Sequence, residues 1–394
     1  MTNLCVSIVT FAHPSLVTQR FAVFMQRAFE AFGVDCAIYF SPIAEASTKA
    51  LLDSDVLIAI TPLPLLNLTI DGKYLFHVFK GKIIYYAIDT LTHDISAWPS
   101  VRMFIDAMHS SPGLFLALPS KDAAEFVSSG SAFDFGRQLL DLPFASFPSP
   151  PSFLNSRGDF VLERFLVCLN IDGVYNLSEL SRGLEKALEP FGFCLSQVAR
   201  LKSALLADDC PSNPLGIVKE TLQLPDNPFP HLNHLRAIDL VDSWLKSARR
   251  QLLAHKIVDE DLPIDIAGSG WSDLLKSSHS LRLLGRISHS DFSNIVPRYK
   301  GILNLDPNWD HGFHDRVYTA LASGVYVITQ ANKAKLSLPD SYRPGVFAFR
   351  PSLADFESIL SEAFRAQIPS SPPVFDLRLT WVDRVASMLR TLYS

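Results

Sequence analysis

Apolar residues in this chain gather in short unbroken runs, and the stretches between the runs carry apolar residues at helical spacing. In the first half the runs are Leu4 to Phe11, Cys36 to Phe40, Val56 to Ile60, Lys82 to Ile88 and Leu114 to Leu118. Each has the length of a strand. Their continuity, in place of strict alternation, predicts strands covered on both faces. Thr18 to Phe32 places Phe21, Phe24, Met25, Ala28 and Phe29 on one helical face and ends at Gly33. A helix is expected over Ala44 to Leu52, and another capped at Ser120. Strands that alternate with helices make a parallel sheet with helices on both sides.

Pro143 to Pro151, PFASFPSPP, is stiff and free of periodicity, and reads as a linker. Beyond it a strand is expected over Phe165 to Leu169. A mostly helical region follows from Leu177 to Ile257, broken by turn-rich residues at Asp208 to Pro214 and Leu224 to Pro230. The strand pattern then returns at Ile264 to Ala267, Leu281 to Leu284, Ile302 to Leu305, Val325 to Ile328 and Val346 to Phe349. Helices are expected from Asp291 to Tyr299, His314 to Ser323, Leu353 to Ala366 and Arg378 to Tyr393. Gly324 stops the second of these, since a helix commonly ends on a left-handed residue. The domains this predicts are residues 1–150, residues 151–377, and a closing helix over residues 378–394 that crosses back to the first.

Ligands of parallel sheets gather at the carboxyl ends of the strands. In the first half that rule selects His13, Thr61, Asp89 and His93. A histidine suits general-base work because it titrates near neutrality. His13, just past the first strand, is the first candidate and Asp89 the second. Capping of the next helix is the plainer role for His13. In the second half the polar loop Asp306 to Phe313 feeds a helix. Unpaired N–H groups at such an entrance attract phosphate or carboxylate, and His311, His314 and Arg316 add donors beside them. The strand at Ile264 opens into Gly268-Ser269-Gly270-Trp271. Glycines there let a ligand approach the backbone, and Trp271 either stacks on a base or sugar or fills the core. Arg286 either neutralises a diphosphate or pairs with a surface acid.

GFHDRVYTALASGVYVI, Gly312 to Ile328, resembles the donor-site segment of GT-B glycosyltransferases, of general form GFGxxxxEAMAxGxPVV. With HDRV preceded by Leu303, Asn304 and Pro307, it is similar to the CgeB-like branch. IDIAGSGW (Ile264 to Trp271) and LRLLGRISHSDF (Leu281 to Phe292) fit that branch in order and spacing. The resemblance implies an α/β protein with two Rossmann-like domains facing a central cleft, the first on the acceptor side and the second holding the donor. It implies transfer of a sugar from a nucleotide-sugar to an acceptor hydroxyl. Donor contacts would come from Gly268, Gly270, Trp271, Arg286, Thr319 and the run His311, Gly312, Phe313, His314, Asp315 and Arg316. The family's paired glutamates fall on His311 and Thr319 here, so contacts to the sugar and ribose differ from its usual pattern. That departure keeps a non-catalytic module, binding a nucleotide or a protein, as the alternative. A sugar epimerase shares the architecture, but its acid–base cluster is not evident.

A net charge of −5 opposes nonspecific binding to nucleic acid, which needs a basic face. Five cysteines lie far apart with no C-x-x-C pair, as expected of buried free thiols in a reducing compartment and not of a metal site. No apolar run approaches the roughly 20 residues of a membrane span, and the start lacks the marks of a signal peptide. The expectation is a cytoplasmic, metal-independent transferase without a cofactor, with a UDP-sugar as the first donor to consider. Its acceptor would be a glycan, a small molecule or a protein.

Overall fold

The computed structural model describes residues 4–11, 17–61, 66–88, 91–130, 135–145, 162–171, 177–228, 231–272, 274, 280–305, 308, 310–367 and 376–393. His13 and Asp89 lie outside the described residues, as does most of the Pro143 to Pro151 stretch. The chain forms two compact units. The first comprises Met1–Ala145, Asn227–Arg236 and Leu377–Ser394, and the second Ser146–Asp226 and Ala237–Asp376. Nothing in the sequence pattern singles out the short Asn227–Arg236 segment.

The first unit holds strands β1 (Cys5–Phe11), β2 (Asp35–Ser41), β3 (Val56–Ile60), β4 (Lys82–Tyr86), β5 (Leu114–Leu118) and β6 (Leu139–Asp141). They pair in parallel in the order β2-β1-β3-β4-β5-β6. β3 and β5 are buried along their whole length, as their unbroken apolar runs require. Helix Val17–Ala31 turns Phe21, Met25, Ala28 and Phe29 into the core. The ring of Phe21 meets those of Phe144 and Trp381 at 5.3 and 5.5 Å. Trp381 opens the last helix, Trp381–Tyr393, which packs on Val17–Ala31. Two helices that the pattern missed, Leu91–Ala97 and Pro99–Met108, are separated only by Trp98. Pro99 looks like a breaker in sequence, yet it sits in the first turn of the second helix, where its missing N–H costs nothing.

The second unit holds β7 (Leu162–Cys168), β8 (Ile264–Ala267), β9 (Arg282–Gly285), β10 (Tyr299–Leu303), β11 (Tyr326–Gln330) and β12 (Val346–Phe349). They are all parallel, in the order β9-β8-β7-β10-β11-β12. On one face a core forms around Phe165, Val167, Ile266, Trp271, Leu303, Ile328, Phe349 and Phe356, and the long helix Leu232–Glu260 adds Leu253, Ala254 and Ile257. Two helix starts differ from expectation. Helix His289–Ile295 begins earlier than Asp291, because the Ser288 hydroxyl caps it by accepting from the Asp291 N–H at 3.1 Å. Helix Phe356–Arg365 begins later than Leu353, whose φ of 65° lies in the left-handed region that no helix residue adopts. Gly324, at φ 67°, ends helix Asp315–Ala322 as its position predicts.

The five cysteines are free thiols. Cys36 and Cys210 are buried, Cys5 and Cys168 half-buried. Cys194 is exposed, contrary to the expectation of burial, because it sits at the N-cap of the surface helix Leu195–Leu205.

Candidate functional site

In each sheet the chain builds outward from its first strand, first on one side and then on the other. The strand order therefore reverses between β1 and β3 in the first unit, and between β7 and β10 in the second. Connections on the two sides of such a point leave toward opposite faces, which opens a crevice outside the carboxyl ends. In the second unit Arg316 lies there.

β10 ends at Leu303, and the ladder continues one step as the buried Asn304 donates its N–H to the Ile328 carbonyl at 2.8 Å. After the loop, His314 is extended (φ −62°, ψ 149°) and caps helix Asp315–Ala322. His314 Nδ1 lies against the Asp315 carboxylate and also 3.4 Å from the Arg316 N–H. Arg316 then reaches from the first turn of its helix across to β7, where Nη1 donates to the Cys168 carbonyl. This one side chain spans the two strands that flank the reversal. A guanidinium has five N–H groups, and the remaining ones find no partner among the described residues. Burial, partly offset by the Arg316 charge, pushes the Cys168 thiol up to about 11.

The loop leading to the helix is pinned from beneath. Asn308 is 5% exposed; its Oδ1 accepts from Arg249 Nη1 at 2.7 Å and its Nδ2 donates to Asp242 Oδ1 at 2.8 Å. Arg249, on helix Leu232–Glu260, is itself 2% exposed and also donates to the carbonyls of Pro211 and Ser212. Asp310 accepts from the Asn213 N–H at 3.3 Å and pairs with Lys333 at 3.1 Å. The Gly312 carbonyl accepts from Asn332 Nδ2 at 3.2 Å. Arg249, Asn308 and Asn332 were not selected from sequence. Arg249 carried one signal: it interrupts the apolar stripe of its helix between Leu245 and Leu253, a place where a cation survives only if satisfied.

The other expected site residues divide sharply. His311 and His314 are half-buried in the loop and at the cap, while Phe313 is 1% exposed and meets the Tyr318 ring at 6.1 Å. Thr319 is 7% exposed on the buried side of its helix. Trp271 takes the core position. It is fully buried and donates Nε1 to the Leu169 carbonyl at 2.7 Å, so no ring face is offered for stacking. Gly268 and Gly270 are required by neighbouring backbone. A Cβ on Gly268 would lie 2.1 Å from the Leu169 carbonyl oxygen, and one on Gly270 1.9 Å from that of Ile171. Arg286 is exposed just past β9, two strands from the reversal, roughly 10 Å along the sheet. Among the described residues no cluster of three metal-binding side chains occurs, and no helix is long and apolar enough to cross a membrane.

The class of protein so defined is an α/β protein of two Rossmann-like units, each built on a parallel six-stranded sheet. No family model matches the chain, and no curated protein matches it in sequence. Similar solved structures include an α-glucosyltransferase in complex with UDP and a 13-mer DNA, at 10% identity over 98% of this chain and 95% of that one, with a TM-score of 0.48. Anabaena HepE in complex with UDP-glucose is 10% identical over 99% of each chain, with a TM-score of 0.49. T4 phage BGT in complex with its UDP-glucose substrate is 10% identical over 99% of this chain and 96% of that one, with a TM-score of 0.44. These likenesses are of backbone outline alone.

Proposed function

We propose that the chain is a glycosyltransferase that moves the sugar of a UDP-sugar to an acceptor hydroxyl. What supports the reading is Arg316: a cation in the first turn of a helix, bridging to the end of β7 at the strand-order reversal, with N–H groups still to satisfy. A diphosphate fits that place, because the guanidinium can hold two of its oxygens in parallel and the helix start adds backbone N–H groups. In the reaction the bond from the sugar's anomeric carbon to the diphosphate breaks and one to the acceptor oxygen forms. The leaving diphosphate gathers negative charge, which Arg316 and the helix start stabilise without a metal. The acceptor's proton goes to a base that we assign to the first unit, with His13 first and Asp89 second. Arg286, two strands away, and Gly268 and Gly270, packed against the backbone after β7, are left out of the proposed donor contacts.

Calorimetric titration with UDP tests this directly. Wild type should bind UDP, and Arg316→Ala should weaken binding at least tenfold, with Arg316→Lys in between because it keeps charge but not the two-pronged geometry. Release of UDP from UDP-glucose should persist in EDTA. UDP binding untouched by Arg316→Ala would remove the diphosphate from this place. Binding with no sugar release under any acceptor would favour a nucleotide-binding module, the reading to which His311 and Thr319, in place of carboxylates, lend weight.

A further inference from the structure

Gln330 closes β11 and is 1% exposed, and neither its Oε1 nor its Nε2 has a hydrogen-bond partner among the described residues. Two positions on, Asn332 uses its Nδ2 on the Gly312 carbonyl, while its own buried Oδ1 is likewise without a partner. Gly312 belongs to the loop that feeds the Arg316 helix. The Asn332 bond therefore ties the end of β11 to the segment proposed to hold the donor.

Buried amide atoms are nearly always paired, and leaving them unpaired is costly. Three such atoms within three residues, at the carboxyl edge of a sheet, point to a partner that arrives with a ligand. Their chemistry restricts what it can be. The unmet groups are one donor, Gln330 Nε2, and two acceptors, Gln330 Oε1 and Asn332 Oδ1. A phosphate only accepts, and would set its charge against both oxygens. An ammonium only donates, and would leave Nε2 unmet. Hydroxyls do both, and neighbouring hydroxyls on a sugar ring supply the two donors and one acceptor that are needed.

We infer that Gln330 and Asn332 read the hydroxyls of the sugar carried by the donor, an assignment that rests on the glycosyltransferase reading. A site built to bond a hydroxyl rejects analogues that lack it far more strongly than an apolar pocket does. Sugar selection would then reside at the end of β11, separate from the diphosphate grip of Arg316.

Calorimetry on the full chain with UDP, UDP-glucose, UDP-galactose and UDP-N-acetylglucosamine tests the assignment in wild type, Gln330→Met and Gln330→Leu. Methionine keeps the shape and removes the orphaned amide, so Gln330→Met should melt at or above the wild-type temperature. Its UDP affinity should stay within about twofold, and its affinity for the sugar nucleotide that wild type prefers should fall about tenfold. Equal sugar-nucleotide affinity in wild type and both variants would overturn the assignment. So would a lowered melting temperature with UDP and sugar-nucleotide affinities falling together, the mark of a packing role. If wild type binds UDP but no UDP-sugar more tightly than UDP, the inference alone fails. If wild type binds no UDP, the glycosyltransferase reading fails and takes the inference with it.

Discussion

Single residues here show how one chemical group takes opposite roles under different surroundings. Burial pushes the Cys36 thiol up to about 12 and that of Cys168 up to about 11, so both stay protonated at neutral pH. Cys194 is exposed, and bonds to the Ser196 hydroxyl and to nearby backbone N–H groups lower its pKa. Iodoacetamide at pH 7.5 should therefore label Cys194 well before Cys36 or Cys168, as peptide mass spectrometry would show. These two raised thiols also fix the sign of an alkaline effect. Above the ordinary value of 9.0 the unfolded thiols ionise while the folded ones do not, so the unfolded state binds fewer protons. Stability should be intact below pH 9 and fall as the pH rises through about 11, a trend that urea unfolding at several pH values would reveal. A stability that rises over that interval would mean these thiols are not buried in solution.

Elements are held in register by a few polar residues that a hydrophobic pattern does not weigh. The Asn308 to Gly312 loop is fixed by Arg249, which reaches from helix Leu232–Glu260 to Asn308 and to the carbonyls of the 211–212 turn. Replacing Arg249 with Met removes a buried cation but strands several acceptors, at a cost of about 1–3 kcal/mol for each buried group left unpaired. Arg249→Met should accordingly lower the urea midpoint and weaken UDP binding, with Arg249→Lys restoring little because one ammonium cannot span the same partners. An Arg249→Met protein with unaltered midpoint and UDP affinity would show that the loop holds its shape without this anchor. Glycines act at the same scale. Gly268 and Gly270 let the turn after β8 lie on the backbone that follows β7, where any side chain would collide.

At the scale of the whole molecule, the first unit is built from distant parts of the chain. Helix Trp381–Tyr393 buries Trp381, Val385, Met388, Leu389 and Leu392, and its Leu392 carbonyl accepts from Lys82 Nζ. Arg384 Nε donates to the Pro143 carbonyl at 3.1 Å. Burying a large apolar side chain contributes about 1.5–3 kcal/mol, and a domain's net stability is about 5–15 kcal/mol. Losing five such side chains removes an amount on the scale of the unit's entire stability. Truncation after Thr380 should abolish the calorimetric transition of the first unit and leave one transition for the second, with UDP binding retained there. A truncated chain that keeps both transitions would assign the helix no structural role.

The sequence by itself determined most strands, the parallel α/β class and the polar loop before the Arg316 helix. Each of these follows from local causes: apolar runs of strand length, a glycine that must be left-handed, and a polar stretch between two buried strands. Tertiary structure alone decided the strand orders, and with them the reversal that makes Arg316, rather than Arg286, the cation between β7 and β10. It alone sent Trp271 into the core, placed Arg249 under the loop and left the Gln330 amide buried without a partner among the described residues. The reason is range. Periodicity and turn chemistry act over a few residues, whereas Arg249 and Asn308 meet across 59 positions and Arg316 and Cys168 across 148. Only the folded sheet brings such residues within hydrogen-bonding distance.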